Sequence, residues 1–324
     1  MKALVLIGGL GTRLRPITYT TPKQLIPIAG KPMLYHVFDL IPRDIEQVVL
    51  ATGYRAQEIE RYVTEHPPPW PVRCVSEAEP LGTGGGMRNA GDEMSDPFLL
   101  LNSDVIAQVE VDRLLGFHTR HGGIGTMTLA EVEDTRPYGV AALDDESRIV
   151  RFVEKPAPED APSHWINAGL SVWRREVLGR IPRGRALSFE QEIVPPLLTA
   201  GIYGYQLTGF WEDAGTPERL LRAQRLLFDG GRGGRGALPP GAFGKGPVAY
   251  APSAIARGAS FGPYVHLGAK AIVEPGAHVE NSVVMDDAVV GREASVVGSL
   301  LGPGARVPEG ARVQGQVLGE GANR

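Results

Sequence analysis

Ala3-Leu4-Val5-Leu6-Ile7-Gly8-Gly9-Leu10-Gly11-Thr12-Arg13-Leu14-Arg15-Pro16, followed by Pro22-Lys23, decides how this chain folds. An unbroken apolar run from Ala3 to Ile7 suits a central parallel strand covered on both faces. The glycines behind it free the backbone to turn, so that N–H groups approach an anion closely. Arg13 and Lys23 place two cations beside that turn. The stretch therefore predicts a strand and a cradle for polyphosphate built from Gly8, Gly9, Gly11, Thr12, Arg13 and Lys23.

Working outward, apolar runs near 46–51, 71–75 and 97–101 alternate with helical patterns near 55–64 and 84–93. This rhythm predicts an α/β domain with a mostly parallel sheet wrapped by helices. In such sheets ligands gather beyond the carboxyl ends of the strands, where both Gly8 and Asp104 fall. The composition shifts after Phe228, where Asp229-Gly230-Gly231-Arg232-Gly233-Gly234-Arg235-Gly236 and Pro239-Pro240-Gly241 read as an unpacked connector. The expected domains are thus 1–228, a Gly/Pro-rich linker at 229–247, and 248–324.

The last domain carries a repeat. Ile255, Phe261, Leu267, Val273, Val279, Met285, Gly291 and Val297 stand six apart, and the rhythm resumes in shifted phase at Leu301, Val307 and Val313. Ala259, Val265, Ala271, Ala277 and Val283 follow successive members by four. Hexapeptide periodicity predicts a parallel β-helix whose coils bury small apolar residues on one another.

Composition narrows the function classes. The 324 residues are 43% hydrophobic and 22% charged, with a formal net charge of −4, as in an ordinary globular protein. A nucleic-acid binder relying on many phosphate contacts would need a broad basic field, which this balance denies. One cysteine, Cys74, precludes an internal disulfide or a thiolate metal cluster. The apolar run after Lys2 is too short for a signal or membrane segment, and no later run approaches 18 residues. A cytoplasmic protein without membrane or nucleic-acid partners is expected.

Two carboxylates could hold a divalent ion against anionic phosphates. Asp104 follows the run Phe98-Leu99-Leu100-Leu101, and Asp213 lies in Gly209-Phe210-Trp211-Glu212-Asp213-Ala214-Gly215-Thr216-Pro217. Each has a plainer reading, Asp104 as a strand-end cap and Asp213 as a turn before a helix capped by Thr216. Glu154-Lys155-Pro156 closes another strand, and a Glu-Lys pair there is ordinarily solvated. Gly30-Lys31-Pro32 is no Walker loop, because Leu25 replaces its first glycine. Ser188-Phe189-Glu190-Gln191 fits a capping box. His36 and His118 sit in helical patterns as packing or surface residues.

Together these motifs resemble the sugar-phosphate nucleotidylyltransferases over almost the whole chain. The likeness is strongest to the short mannose-1-phosphate guanylyltransferases with a hexapeptide tail. Leu6-Ile7-Gly8-Gly9, Glu79-Pro80-Leu81-Gly82-Thr83, Leu101-Asn102-Ser103-Asp104-Val105, Phe152-Val153-Glu154-Lys155-Pro156 and Gly209-Phe210-Trp211 carry it. Pro22-Lys23-Gln24-Leu25-Ile26-Pro27-Ile28 is closer to glucose-1-phosphate thymidylyltransferases, which keeps a thymidylyl or uridylyl alternative open.

The resemblance implies a Rossmann-like nucleotidyltransferase domain followed by a left-handed β-helix. It implies Mg²⁺ on Asp104 and Asp213, pyrophosphate held by Arg13 and Lys23, and sugar phosphate held by Lys155. Gly139, Glu154 and Asn167 belong to the sugar site, while Glu77, Gly82 and Thr83 face the nucleobase. Glu77 could accept from guanine N1–H and N2–H₂ together, whereas thymine or uracil suits an amide; Thr83 could also cap the next helix. The substrates implied are GTP and mannose 1-phosphate, in an enzyme that self-associates into a homo-oligomer. A non-catalytic nucleotide-sugar sensor is the rival, as is an acetyltransferase tail using His266 or His278.

Overall fold

The computed structural model describes residues 1–233 and 238–320. Four residues of the expected linker, 234–237, and the last four of the expected repeat domain lie outside the described residues. The chain forms two compact units: Met1–Gly9 with Val37–Trp211, and Leu10–His36 with Glu212–Arg324. The glycine-rich connector is therefore not where the units divide. Segment Leu10–His36, which follows the first strand, belongs to the same unit as the repeats.

The first unit is built on a nine-stranded sheet. Its strands are β1 (Lys2–Ile7), β2 (Gln47–Thr52), β3 (Val72–Ser76), β4 (Phe98–Asn102), β5 (Gly125–Glu131), β6 (Gly139–Leu143), β7 (Ile149–Glu154), β8 (Trp165–Trp173) and β9 (Ile202–Gln206). The order β4-β1-β2-β3 is parallel throughout, with Ile7 opposite Thr52, Leu6 opposite Asn102 and Thr52 opposite Ser76. On the far side of β4 the pairing turns antiparallel through β8, which also pairs β5, while β6 and β7 form an antiparallel hairpin. The sheet is thus mixed. Ala3 to Ile7 are buried, as their unbroken apolar run requires.

Three helices matter for the site. α1 (Ala56–Glu65) buries Ile59 and Val63, one helical turn apart. α3 (Val111–His121) buries Val111, Leu114 and His118 and stops at Gly122, whose φ of 75° suits only a residue free of Cβ strain. Between them, α2 (Gly82–Asn89) is rich in glycine because another segment crosses it closely. A Cβ at Gly85 would lie 2.7 Å from the carbonyl oxygen of Arg185, and one at Gly82 2.5 Å from that of Leu187. Leu4, Leu6, Phe98, Leu100, Met127, Trp173 and Phe189 share one core cluster, with the Trp173 and Phe189 rings edge to face at 4.9 Å.

In the second unit, the repeats form three parallel sheets, as a β-helix demands. Ser260 pairs with His278, Leu267 with Val284, and Val273 with Val290. The phase expected from sequence needs correction. Two steps of six are followed by one of five, as in Val284, Val290, Val296 and Leu301, so a coil takes about 17 residues. Val284, Val290 and Val296 therefore point inward in place of Met285, Gly291 and Val297, and Ala256 is buried while Ile255 is 57% exposed. The shortened step falls at Glu280-Asn281-Ser282, where Asn281 adopts φ 43°. Among the described residues, no helix is long and apolar enough to cross a membrane.

Candidate active site

In the first unit, β1, β2, β3 and β4 end at a common edge. Gly8, Gly53, Glu77 and Ser103 leave that edge together, since Glu77 N–H bonds Thr52 O at 2.8 Å and Ser103 N–H bonds Leu6 O at 3.3 Å. The chain passes from β1 to β2 on one side, then crosses to β4 on the other, so β1 lies at a topological switch point. Crevices of parallel sheets collect ligands there. Asp104, half-buried, follows in the turn between β4 and Val105–Ala107.

Glu77 is not a solvated strand end. Its Oε2 accepts the Leu81 N–H at 3.0 Å, ahead of α2. Its Oε1 lies against the glycine face of α2, where a Cβ on Gly86 would come within 2.5 Å. Burial pushes its carboxyl above the usual glutamate range, while the Leu81 bond works the other way. A carboxylate held between a backbone donor and a flat glycine surface presents an acceptor to a planar ligand.

Thr83 does something other than cap. The N-cap position of α2 is Leu81, and the Thr83 hydroxyl instead donates to Glu190 Oε2 at 2.6 Å while accepting the Phe189 N–H at 2.9 Å. Ser188 caps the following turn by accepting the Gln191 N–H, as its pattern predicts, and also donates to Glu190 Oε2 at 3.1 Å. Gly82 has φ 69°.

Glu154 ends β7 and Lys155 follows it. Their side chains are in contact, Nζ to Oε1 at 3.3 Å, with Glu154 largely buried and Lys155 60% exposed. Lys155 adopts φ 49° and its N–H bonds Tyr138 O at 2.9 Å, so the lysine sits on a strained corner. Burial, and next the charge of Glu190, push the Glu154 carboxyl upward, while Lys155 opposes them. A Cβ at Gly139 would lie 2.6 Å from Glu154 Oε2, so glycine there keeps the carboxylate accessible. Asn167 accepts the Gly169 N–H through its side-chain oxygen at 3.1 Å. The structure gathers Glu154, Lys155 and Gly139, with Glu190 tying them electrostatically to Thr83.

The second unit holds Gly11, Thr12, Arg13, Lys23 and Asp213. Gly11 has φ 61°, and a Cβ on it would meet the Lys23 Cβ at 3.3 Å, which brings glycine turn and lysine together. Arg13 and Asp213 converge on Gly215, whose hypothetical Cβ would lie 3.1 Å from Arg13 Nη2 and 2.7 Å from Asp213 Oδ1. Asp213 Oδ2 also accepts from Arg219 Nη1 at 3.2 Å, one turn into α4 (Pro217–Asp229). Thr216 caps that helix as expected, accepting the Arg219 N–H at 3.3 Å.

Arg219 and Glu190 were missed from sequence. Arg219 stood inside a helix whose cap already explained the local pattern. Glu190 stood inside a capping pattern whose Ser188 N-cap does form. His36 and His118 are buried, and so is His266, which disfavours it as a base for a solvent-borne acetyl donor. Among the described residues no three His, Cys, Asp or Glu side chains gather into a group that could hold a metal.

Residues 2–230 match the family described as Nucleotidyl transferase, and residues 245–323 match the GMPPB C-terminal domain. The chain belongs to the nucleotidyl transferase family. This nucleotidyl transferase is 36% identical to mannose-1-phosphate guanylyltransferase of Mycobacterium tuberculosis, over 99% of the chain and 80% of that protein. It is 35% identical to mannose-1-phosphate guanylyltransferase 1 of Arabidopsis thaliana, over 99% of the chain and 91% of that protein. Among solved structures, HddC from Yersinia pseudotuberculosis complexed with GMP-PN is similar at TM-score 0.58 and 26% identity, covering 69% of the chain and 98% of HddC.

Proposed function

We propose that the enzyme joins GTP to mannose 1-phosphate, releasing GDP-mannose and pyrophosphate. A phosphate oxygen of mannose 1-phosphate attacks the α-phosphorus of GTP, a new P–O bond forms, and the bond from the α-phosphorus to the β-phosphate bridging oxygen breaks. The observation that carries this reading is the carboxylate of Glu77 at the carboxyl edge of the parallel strands. Guanine presents two donors side by side, N1–H and N2–H₂, and a carboxylate meets both. Full-length similarity to mannose-1-phosphate guanylyltransferases supports the choice of sugar.

In this reading Arg13 and Lys23 hold the β- and γ-phosphates and stabilise the departing pyrophosphate. Lys155, exposed beside Glu154, orients the attacking phosphate, while Glu154, Asn167 and the backbone at Gly139 receive sugar hydroxyls. Asp104 and Asp213 would hold Mg²⁺. The donor set fits, since oxygen ligands suit this ion and one or two carboxylates plus substrate phosphates suffice without an all-protein cage. When bound, the ion supplies charge neutralisation to phosphate oxygens. The β-helix is read as left-handed, in keeping with the hexapeptide tails of the family.

The test crosses GTP, dTTP, UTP and ATP with mannose, glucose and N-acetylglucosamine 1-phosphates and measures pyrophosphate release. GTP with mannose 1-phosphate should give the highest kcat/KM; a different best pair overturns the assignment. Asp104→Asn and Asp213→Asn should keep the native circular dichroism spectrum and lose metal-dependent turnover, and normal turnover in either removes it from the site.

A further inference from the structure

Segment Leu10–His36 carries Arg13 and Lys23, and it packs within the second unit on the β-helix. Two glycines mark the seam. A Cβ at Gly319 would lie 2.9 Å from Pro16 Cγ and 3.1 Å from Pro16 Cβ, and one at Gly302 would lie 3.0 Å from Ile17 Cγ1. Neither glycine has a positive φ, unlike Gly304 at 65° and Gly310 at 68° on the turns nearby. Backbone conformation therefore does not demand glycine at 302 or 319. At Gly319 the close approach of Pro16 does, and at Gly302 Ile17 shares that role with the next coil, whose Leu318 carbonyl oxygen would lie 3.1 Å from the added Cβ.

A second anchor holds the far end of the segment. Gln224, fully buried on α4, accepts the Ala29 N–H through Oε1 at 3.1 Å and donates through Nε2 to Tyr264 O at 2.8 Å on the β-helix. A Cβ on Gly30 would meet Ala249 Cβ at 3.3 Å. Around the first anchor the loop is stiff. Leu14 N–H and the Thr18 hydroxyl both bond Gly11 O, at 2.9 and 2.8 Å, Tyr19 N–H bonds Pro16 O at 3.1 Å, and the Arg15 guanidinium lies over the Tyr19 ring. Leu14, Ile17 and Thr18 are buried. A shift imposed on Pro16 or Ile17 is passed through these short bonds to Gly11 and Arg13, because close-packed groups move together.

We infer that the β-helix sets the pose of the triphosphate-binding loop, with Gly302 and Gly319 as positioning residues for nucleotide affinity. The inference rests on the reading of Arg13 and Lys23 as triphosphate ligands. The tail then acts on one substrate of the two, since Lys155 and Glu154 belong to the first unit.

The test uses the full chain with Gly319→Ala, Gly319→Leu and Gly302→Val, and with Glu309→Ala, exposed on the same coils, as control. Calorimetry measures GTP binding, and steady-state assays give KM for each substrate. Gly319→Leu should weaken GTP binding and raise its KM tenfold or more, with the KM for mannose 1-phosphate within twofold of wild type. Gly319→Ala should fall between, and Glu309→Ala should match wild type. Unchanged GTP affinity in Gly319→Leu overturns the inference, as does an equal loss for both substrates, which marks a merely structural role. If Gly319→Leu does not fold, the same split in Gly319→Ala decides. Wild-type protein that does not bind GTP sinks the functional reading instead, so the two failures are distinct.

Discussion

Replacing Glu77 by Gln tests the base-reading argument with little disturbance to the scaffold. The Gln amide oxygen can keep the 3.0 Å bond from Leu81 N–H, and the amide nitrogen takes the place of Oε1 against the glycine face of α2. What changes is the ligand side. Guanine loses a charged acceptor and its N2–H₂ faces another donor, a cost of about 3 kcal/mol from charge-assisted bonds and an unmade one. At 1.4 kcal/mol per decade that is roughly a hundredfold in kcat/KM for GTP. Thymine gains a donor for its carbonyl and keeps an acceptor for N3–H, worth about 1 kcal/mol, or roughly fivefold for dTTP.

Steady-state kinetics with GTP and dTTP at saturating mannose 1-phosphate read the ratio directly. It should fall by about 10² to 10³. The wild-type pH profile supplies a second arm. Because burial raises the Glu77 carboxyl, the charged acceptor is lost on acidification at a higher pH than the ~4.3 of a free glutamate. The acid limb of kcat/KM for GTP should therefore begin above that value in wild type and weaken in the variant. A GTP to dTTP ratio unmoved by the substitution refutes the role given to Glu77.

Glu154→Gln should raise the KM for mannose 1-phosphate about tenfold, for one lost charged acceptor. It should also raise Tm at neutral pH: the folded-state pKa is pushed up, so the wild-type carboxyl destabilises the fold as pH rises past the ordinary glutamate value. Unchanged KM together with unchanged Tm would count against both statements. His266 is buried, with its pKa driven down to about 4 by burial and by the nearby His36. Its contribution is complete above the ordinary value near 6.5 and is lost as pH falls from there to about 4, on the order of 3 kcal/mol. Urea midpoints of wild type and His266→Leu at pH 7 and pH 4.5 check this, and equal acid sensitivity in both would remove His266 as the cause.

Much of the fold was legible because its signals are local. The run Ala3 to Ile7 has no polar alternation, and β1 is buried along that run and paired on both edges, with β2 and β4. The repeat was legible too, but not its phase. A five-residue step at Glu280-Asn281-Ser282 moves the inward position from Met285 to Val284, and apolar residues on both sides of the slip hide it. Gly82 was read as facing the nucleobase. With Gly84 and Gly85 it also answers to the segment from Arg185 to Phe189, whose proximity depends on a contact across roughly a hundred residues that no local pattern announces. The same holds for Leu10–His36, which meets the β-helix at Gly302 and Gly319 near the other end of the chain.

The site residues divide by how they bear their charge. Glu77 and Glu154 are carboxylates pushed upward by burial, each at a position read as meeting ligand N–H or O–H donors. A buried acceptor is costly when empty and becomes favourable when a matching donor arrives, so its selectivity exceeds its raw affinity. Lys155 has the opposite character. It is exposed and strongly solvated, with Glu154 beside it, and an ammonium in water attracts any phosphate without distinguishing what the phosphate is attached to. On the proposed reading of the site, specificity belongs to the desolvated carboxylates and affinity to the cations. This is why changing Glu77 should move the ratio between nucleotides, while displacing the loop that carries Arg13 should weaken all of them alike.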